Sequence, residues 1–344
     1  MEHSEFRKDL VSGDWILVAG GRIKRPDLFV RPKAGNKEDT KKVCPFDNPQ
    51  KNGGPLPIAW YPKSSGVSQK NTGIASWFVQ VIPNKYPIVA PHDESSCPVA
   101  QKDGPYENIT GVGEHEVIIT RSHRRSLGQM TAEEAATILL AYQDRYRALR
   151  AEPCVKYVLV FHNHGEMAGA SIPHPHSQLI ALPIVPPDVA RSFEGSRAFF
   201  QRRRRCVHCV MLEWERGQKR RVLFENASFT ALLPYASRVS FEIRIFPKRH
   251  EAHFEQIGAN DRLLLGEALI NTLSTLRRAL GNPDYNFFIH TGSPRTESSD
   301  HYHWHIEILP RTSRWAGLEL GTGIVVVAVP PEEAAQLLRK RLVR

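Results

Sequence analysis

Two histidine clusters carry most of the chemistry available to this chain: His174-Pro-His176-Ser-Gln178 and His301-Tyr-His303-Trp-His305. In an extended strand, side chains at i and i+2 point the same way, so each His-x-His can offer two imidazoles to one substrate or one metal ion. A neutral imidazole is a competent nucleophile near pH 7 and a common metal ligand. Ser171 and Gln178 flank the first cluster with hydroxyl and amide donors suited to phosphoryl oxygens. An isolated His-x-His reads as a metal-binding or merely polar strand; its repetition, with Ser171 and Gln178 beside the first copy, points to a site. Further donors lie in Cys206-x-x-Cys209 and in Cys44-Pro-Phe-Asp47, the latter with an acid where a second cysteine could stand. Both spacings suit a metal.

The elements that must hold these residues read as two copies of one unit. A constant offset of 127 carries His174 onto His301, His176 onto His303, His123 onto His250 and Pro183 onto Pro310. Two gapless repeats are the economical explanation. In this register Gln178 falls on His305, so the second copy lacks the phosphate-site pattern and one active centre per chain is expected, in the first half. The first copy reads as a strand over 116–120, a helix over 131–150 opened by the capping box Thr131-x-x-Glu134, a strand over 156–161 and another after His176. The second reads as a strand over 241–246, a helix over 264–280 stopped by Gly281 and Pro283, and a strand over 286–290. Residues 31–73 read as long loops, 186–205 as a helical connector, and Pro330-Pro-Glu-Glu as the start of a final helix.

A chain of 344 residues, 41% hydrophobic and 24% charged, is that of a globular protein of about two domains. No apolar run approaches the roughly 18 residues of a membrane span. Residues 1–9 carry charges in place of a signal-peptide core, which leads to the expectation of a cytoplasmic protein without membrane partners. The net charge of +10 and pI near 9.4 favour anionic ligands without choosing among them. Five cysteines, an odd number, are not expected to form a disulfide framework. Arg202 to Arg205, beside the Cys-x-x-Cys, raises nucleic-acid binding as a rival function. The run is short and lacks interleaved aromatics for base stacking, so a nucleic-acid partner is not expected.

Ser171-x-Pro-His-Pro-His-x-Gln178 resembles the active-site signature of the galactose-1-phosphate uridylyltransferase family, the transferase branch of the histidine-triad superfamily. The likeness extends to Ser12-Gly-Asp-Trp-Ile-Leu-Val18, Arg22-x-x-Arg25-Pro26, Cys44-Pro, Val81-Ile-Pro-Asn84, Phe161-x-Asn163-x-Gly165 and Gly317 to Gly323. The resemblance implies an α+β fold of tandem duplicated histidine-triad-like units, each an antiparallel sheet with packed helices. It divides the chain into residues 1–185, with the active site, and 186–344, with a zinc site. It also implies a hexose-1-phosphate nucleotidylyltransferase working by ping-pong transfer: His176 attacks the α-phosphorus of a nucleotide sugar, UDP-glucose or ADP-glucose, and passes the nucleotidyl group to a sugar 1-phosphate or phosphate. Gln178 and Ser171 would assist, and Arg22, Arg25, Asn84 and Asn163 would hold the nucleotide and phosphates. A homodimer accords with the family.

By the same resemblance one zinc site draws on Cys44, Asp47, His123 and His174, a variant in which Asp47 replaces a thiolate. The other draws on Cys206, Cys209, His250 and a second-cluster histidine. The repeat register favours His301 for that position; likeness to the plant ADP-glucose phosphorylase branch favours His303, which is adopted. The iron site of some uridylyltransferases is not expected, because Glu307 stands where a histidine belongs and Ser192 where a glutamate belongs. Gly321-Thr-Gly323 replaces a Gly-Tyr-Glu that contacts the hexose, which puts galactose specificity in doubt and leaves adenylyl transfer from ADP-glucose open as the alternative. A nucleotide-binding zinc protein without catalysis is the remaining reading.

Overall fold

The capping box at Thr131 is realised in the computed structural model, which describes residues 3–21, 44–63, 76–91, 97–294 and 300–342. Glu134 N–H donates to Thr131 Oγ1 at 3.3 Å and Thr131 N–H to Glu134 Oε2 at 2.9 Å. In chain order the first half contains β1 (Glu5–Lys8), β2 (Trp15–Val18), β3 (Ala59–Pro62), β4 (Trp77–Pro83), a hairpin of β5 (Gln101–Asp103) and β6 (Tyr106–Asn108), β7 (His115–Thr120), α1 (Ala132–Arg150), β8 (Tyr157–His164) and β9 (His176–Leu182). Then follow α2 (Pro187–Arg203), α3 (Val207–Gln218), β10 (Val222–Glu225), β11 (Phe229–Leu232), β12 (Ile243–Pro247), α4 (Ala259–Leu280), β13 (Tyr285–His290), β14 (His305–Pro310), α5 (Gly317–Thr322), β15 (Val325–Val327) and α6 (Pro331–Arg339).

Ten strands form one antiparallel sheet in the order β10-β11-β12-β14-β13-β8-β9-β7-β4-β3. Each half contributes five, and the order mirrors itself about the β8–β13 pair, where Phe161 faces Phe288. Helices α1 and α4, one from each half, cover the same face and meet closely. A Cβ on Gly266 would fall 2.5 Å from the Ala132 carbonyl oxygen. Val79, Val160, Leu139, Leu269, Phe287 and Ile306 belong to one hydrophobic core that runs through both halves.

The pairing corrects the repeat register. Phe161 pairs with Gln178, and its symmetry mate Phe288 pairs with Glu307. Along the chain these steps are 17 and 19 residues, so the loop before β14 is two residues longer than the one before β9. His174 therefore corresponds to His303, His176 to His305, and Gln178 to Glu307. A two-residue slip maps one His-x-His onto another without penalty, which is why matching by residue type missed it.

The opposite sheet face differs between halves. Over β11, β12 and β14 it is covered by α3, whose Leu212 packs on Leu232 and Phe246, and by α2 and the N-terminal segment. Gly195 of α2 approaches so near that a Cβ there would sit 1.8 Å from the Val11 carbonyl oxygen. A small sheet, β1-β2-β15, closes this side, a strand group the sequence patterning did not signal. One further expectation fails: Cys97 is disulfide-bonded to Cys154, tethering the segment before β5 to the turn after α1.

Candidate active site and metal centres

Strand β9 delivers His176 and Gln178 to the face away from α1, while Ser177 between them turns inward to hydrogen-bond Tyr142 of that helix. The His176 ring is oriented by its own chain: Nδ1 lies 2.8 Å from the His174 carbonyl oxygen. A carbonyl only accepts, so the proton resides on Nδ1 and the Nε2 lone pair is free to attack. Burial lowers the His176 pKa, with the carbonyl bond opposing, so the ring is neutral at pH 7. Phe46 stands edge-on to it at 5.0 Å between centroids.

On β8, Asn163 accepts from Asn286 Nδ2 at 2.7 Å, and Arg311 Nε donates to Asn286 Oδ1 at 2.6 Å. A residue of the second half thus sets the orientation of an amide in the first. Asn84, just after β4, accepts from Tyr86 N–H at 2.9 Å and lies beside His115, which in turn contacts Gln178 Oε1 at 2.8 Å. Phe46, His115, Asn286 and Arg311 were not found by sequence reasoning. His115 opens the strand 115–120 and could have been noticed as a histidine at the head of the apolar stretch Val117-Ile-Ile119.

Two ligand sets converge as separate clusters. In the first, Cys44, Asp47, His123 and His174 bring one donor atom each within 4.8 Å of the others. His123 Nδ1 lies 2.7 Å from Asp47 Oδ1, and the two Nδ1 atoms of His123 and His174 face each other at 3.3 Å. His174 Nε2 donates to Thr120 O at 2.6 Å, which leaves its Nδ1 as a lone-pair donor aimed at the shared point. The second set is Cys206, Cys209, His250 and His303, again within 4.8 Å. Here His303 Nε2 donates to Pro247 O at 3.0 Å, and Nδ1 faces Cys209 Sγ at 3.4 Å. Hydrogen bonding from Cys209 holds the Cys206 thiol well below its ordinary pKa, and Cys209 is raised in consequence. Thiolate, imidazole and carboxylate donors around one point fit tetrahedral zinc. His303, in place of His301, joins the cluster.

A third group, His290, His305 and Glu307, also brings one donor atom each within 4.8 Å of the others. It does not suit a cation. Arg238 is ion-paired with Glu307, and Arg244 Nε stands 3.8 Å from its other oxygen while pairing with Glu242 at 2.8 Å. The two guanidinium groups hold the Glu307 carboxyl well below the usual carboxylate range despite burial. His305, the counterpart of His176, stands between Phe246 at 4.8 Å and His208 of α3 at 5.2 Å. Its ring is buried and borders the pocket that Ser192, Arg238 and Arg244 also line.

Among the remaining expected residues, Ser171 is exposed on the loop before β9, and Gly321 to Gly323 ends α5 at the surface. Arg22 and Arg25 lie outside the described residues. Among those described, no helix is long and apolar enough to cross a membrane.

A mirrored pair of five-stranded units, with a His-x-His motif leading into β9 and another into β14 and with two zinc-type donor sets, defines a tandem histidine-triad protein. Residues 1–186 match the family model described as galactose-1-phosphate uridyl transferase, N-terminal domain. The ADP-glucose phosphorylase of Arabidopsis thaliana is 32% identical over 98% of this chain and 92% of its own length. The galactose-1-phosphate uridylyltransferase of Thermotoga maritima is 27% identical over 98% of both. A crystal structure of the Arabidopsis ADP-glucose phosphorylase with bound ADP-glucose superposes with a TM-score of 0.82 at 29% identity, covering 99% of this chain and 100% of that one. The chain belongs to the galactose-1-phosphate uridylyltransferase family.

Proposed function

We propose that the protein is a hexose-1-phosphate nucleotidyltransferase acting through a nucleotidyl-His176 intermediate. The observation that carries this is the Nδ1 contact with the His174 carbonyl, 2.8 Å, which leaves Nε2 as the free lone pair. In the first half-reaction Nε2 forms a bond to the α-phosphorus of the nucleotide sugar, and the bond from that phosphorus to the bridging oxygen breaks, releasing hexose 1-phosphate. In the second, an oxygen of the acceptor phosphate attacks the same phosphorus and the P–N bond breaks, returning neutral His176. The Gln178 amide and Ser171 hydroxyl stabilise charge on the phosphoryl oxygens. Asn84, Asn163, Arg22 and Arg25 hold the nucleotide and phosphates.

Zinc held by Cys44, Asp47, His123 and His174, and by Cys206, Cys209, His250 and His303, would supply rigidity, cross-linking loops that are far apart in sequence. His174 lies two residues before the nucleophile, so the first site fixes the backbone carbonyl that orients His176. The 1–185 half carries the chemistry and the 186–344 half supplies support. The exposed Trp315, Leu318 and Leu320 are consistent with a homodimer, and the reading remains that of a cytoplasmic enzyme.

ADP-glucose with phosphate as acceptor is favoured over UDP-glucose with galactose 1-phosphate. The support is the 32% identity to an ADP-glucose phosphorylase and the surface Gly321-Thr-Gly323 in place of hexose-contacting side chains. Intact mass after brief incubation with ADP-glucose or UDP-glucose tests both points. An AMP-sized adduct absent from His176→Ala is expected; a UMP-sized adduct alone would reverse the base assignment. Full turnover by His176→Ala would remove the mechanism.

A further inference from the structure

His115 has no role in the reaction as described, yet it is the hub between two groups assigned to the nucleotide and phosphates. It is the first residue of β7, buried at 6% exposure. Three partners surround its ring: Gln178 Oε1 at 2.8 Å from Nε2, Asn84 Nδ2 at 3.0 Å from Nε2, and Ile88 N–H donating to Nδ1 at 3.3 Å. One neutral imidazole cannot accept at both nitrogens, so the three contacts are not all hydrogen bonds. The Ile88 donor decides between them. Side-chain amides can flip, but a backbone N–H cannot, and it demands a lone pair on Nδ1.

The proton then sits on Nε2 and donates to the Gln178 oxygen. Asn84 Oδ1 is already engaged by Tyr86 N–H, so its Nδ2 cannot bond the protonated Nε2 and instead shares the Nδ1 lone pair, 3.4 Å away, with Ile88 N–H. The consequence falls on Gln178. With its oxygen held by His115, its NH2 must point away, toward the face that bears His176 Nε2. In the flipped state Gln178 would direct an oxygen lone pair at the phosphoryl oxygens and repel them. We infer that His115 is a positioning residue that fixes the amide of Gln178 donor-outward, and that this pre-set donor accelerates attack on the α-phosphorus. The inference rests on the nucleotidyl-His176 reading and on Gln178 as the phosphoryl donor.

The test is a double-mutant cycle read as the single-turnover rate of adduct formation, with ADP-glucose as donor and UDP-glucose in parallel. His115→Ala and Gln178→Ala are each expected to slow adduct formation by roughly 10- to 100-fold with little change in donor KM. The double variant should be no slower than Gln178→Ala, because both substitutions remove one donor. His115→Gln, which can return an N–H near the Nε2 position, should recover much of the rate, and His115→Phe should not. Equal fold-losses from His115→Ala in the wild-type and Gln178→Ala backgrounds would overturn the inference, because that is the pattern of a merely structural residue. If His115→Ala does not fold, comparing His115→Gln with His115→Phe in both backgrounds decides the same point. A full rate in Gln178→Ala would identify the assignment of Gln178 as the failed step and end the positioning role with it, while a surviving adduct in His176→Ala would locate the failure in the nucleophile.

Discussion

Replacing Glu307 by glutamine isolates the charge at the centre of the second half without creating a cavity. In the native chain its carboxylate, 2% exposed, sits against Arg238, with Arg244 Nε at 3.8 Å and His290 Nε2 at 3.3 Å. Removing one member of a buried ion pair costs about 3–5 kcal/mol, chiefly from the charge left behind. Two features lower the figure here. Arg244 retains Glu242 at 2.8 Å, and the Arg238 side chain is 33% exposed, so water offsets part of its loss. A destabilisation of about 2–3 kcal/mol is therefore expected for Glu307→Gln, read from the urea midpoint at unchanged slope with metal content measured in parallel. Glu213→Gln, which breaks an exposed pair with Arg205, is the control and should leave the midpoint unmoved. A Glu307→Gln midpoint indistinguishable from that control would refute the argument. Loss of one metal equivalent in this variant would show instead that the carboxylate holds a cation, contrary to the role given to Arg238.

Other outcomes follow from the same geometry. Burial depresses the pKa of His162 and His305 well below 6.5, so below that pH the unfolded chain binds protons the folded one refuses. Their stabilisation is full above about pH 6.5 and lost as pH falls, at about 1.4 kcal/mol per pH unit for each ring; urea midpoints measured from pH 7.5 to 5 should drop, and a flat profile would contradict the burial argument. Cys206→Ser should lower bound zinc by one equivalent and leave the first site loaded, whereas Asp47→Cys should make the first site harder to strip with chelator; metal analysis after graded chelation reads both. Gly113 has φ +149°, and a Cβ there would fall 2.0 Å from the Ala181 carbonyl oxygen on β9. Gly113→Ala should thus cost about 2 kcal/mol or more, since neither backbone can retreat, and an unchanged melting temperature would count against the close approach.

Much of this protein is legible along the chain because the relevant signals are local. The Thr131 capping box, the period of α1, the strand expected over 241–246 and found as Ile243–Pro247, and the Pro-initiated final helix depend on neighbours a few residues away. The nucleophile candidate is legible too, since a short strand motif carries His176 and Gln178 on one face. The Cys97–Cys154 bond escaped because it depends on where two distant loops come to rest. So did β1, β2 and β15, short strands whose pairing is long-range.

The deepest division concerns the repeat itself. Residue types alone determined that the chain is duplicated, that metal donors recur in both copies, and that His176 and Gln178 share a strand face. They could not determine register, because a His-x-His motif is unchanged by a slip of two residues. Hydrogen-bond pairing across β13 and β14 decided that His176 corresponds to His305. Packing then set their different surroundings: α2, α3 and an arginine pair line the pocket that His305 borders, while Phe46 stands against His176. Which of two like rings can react is a question of what the rest of the chain lays over it, and only tertiary contacts carry that information.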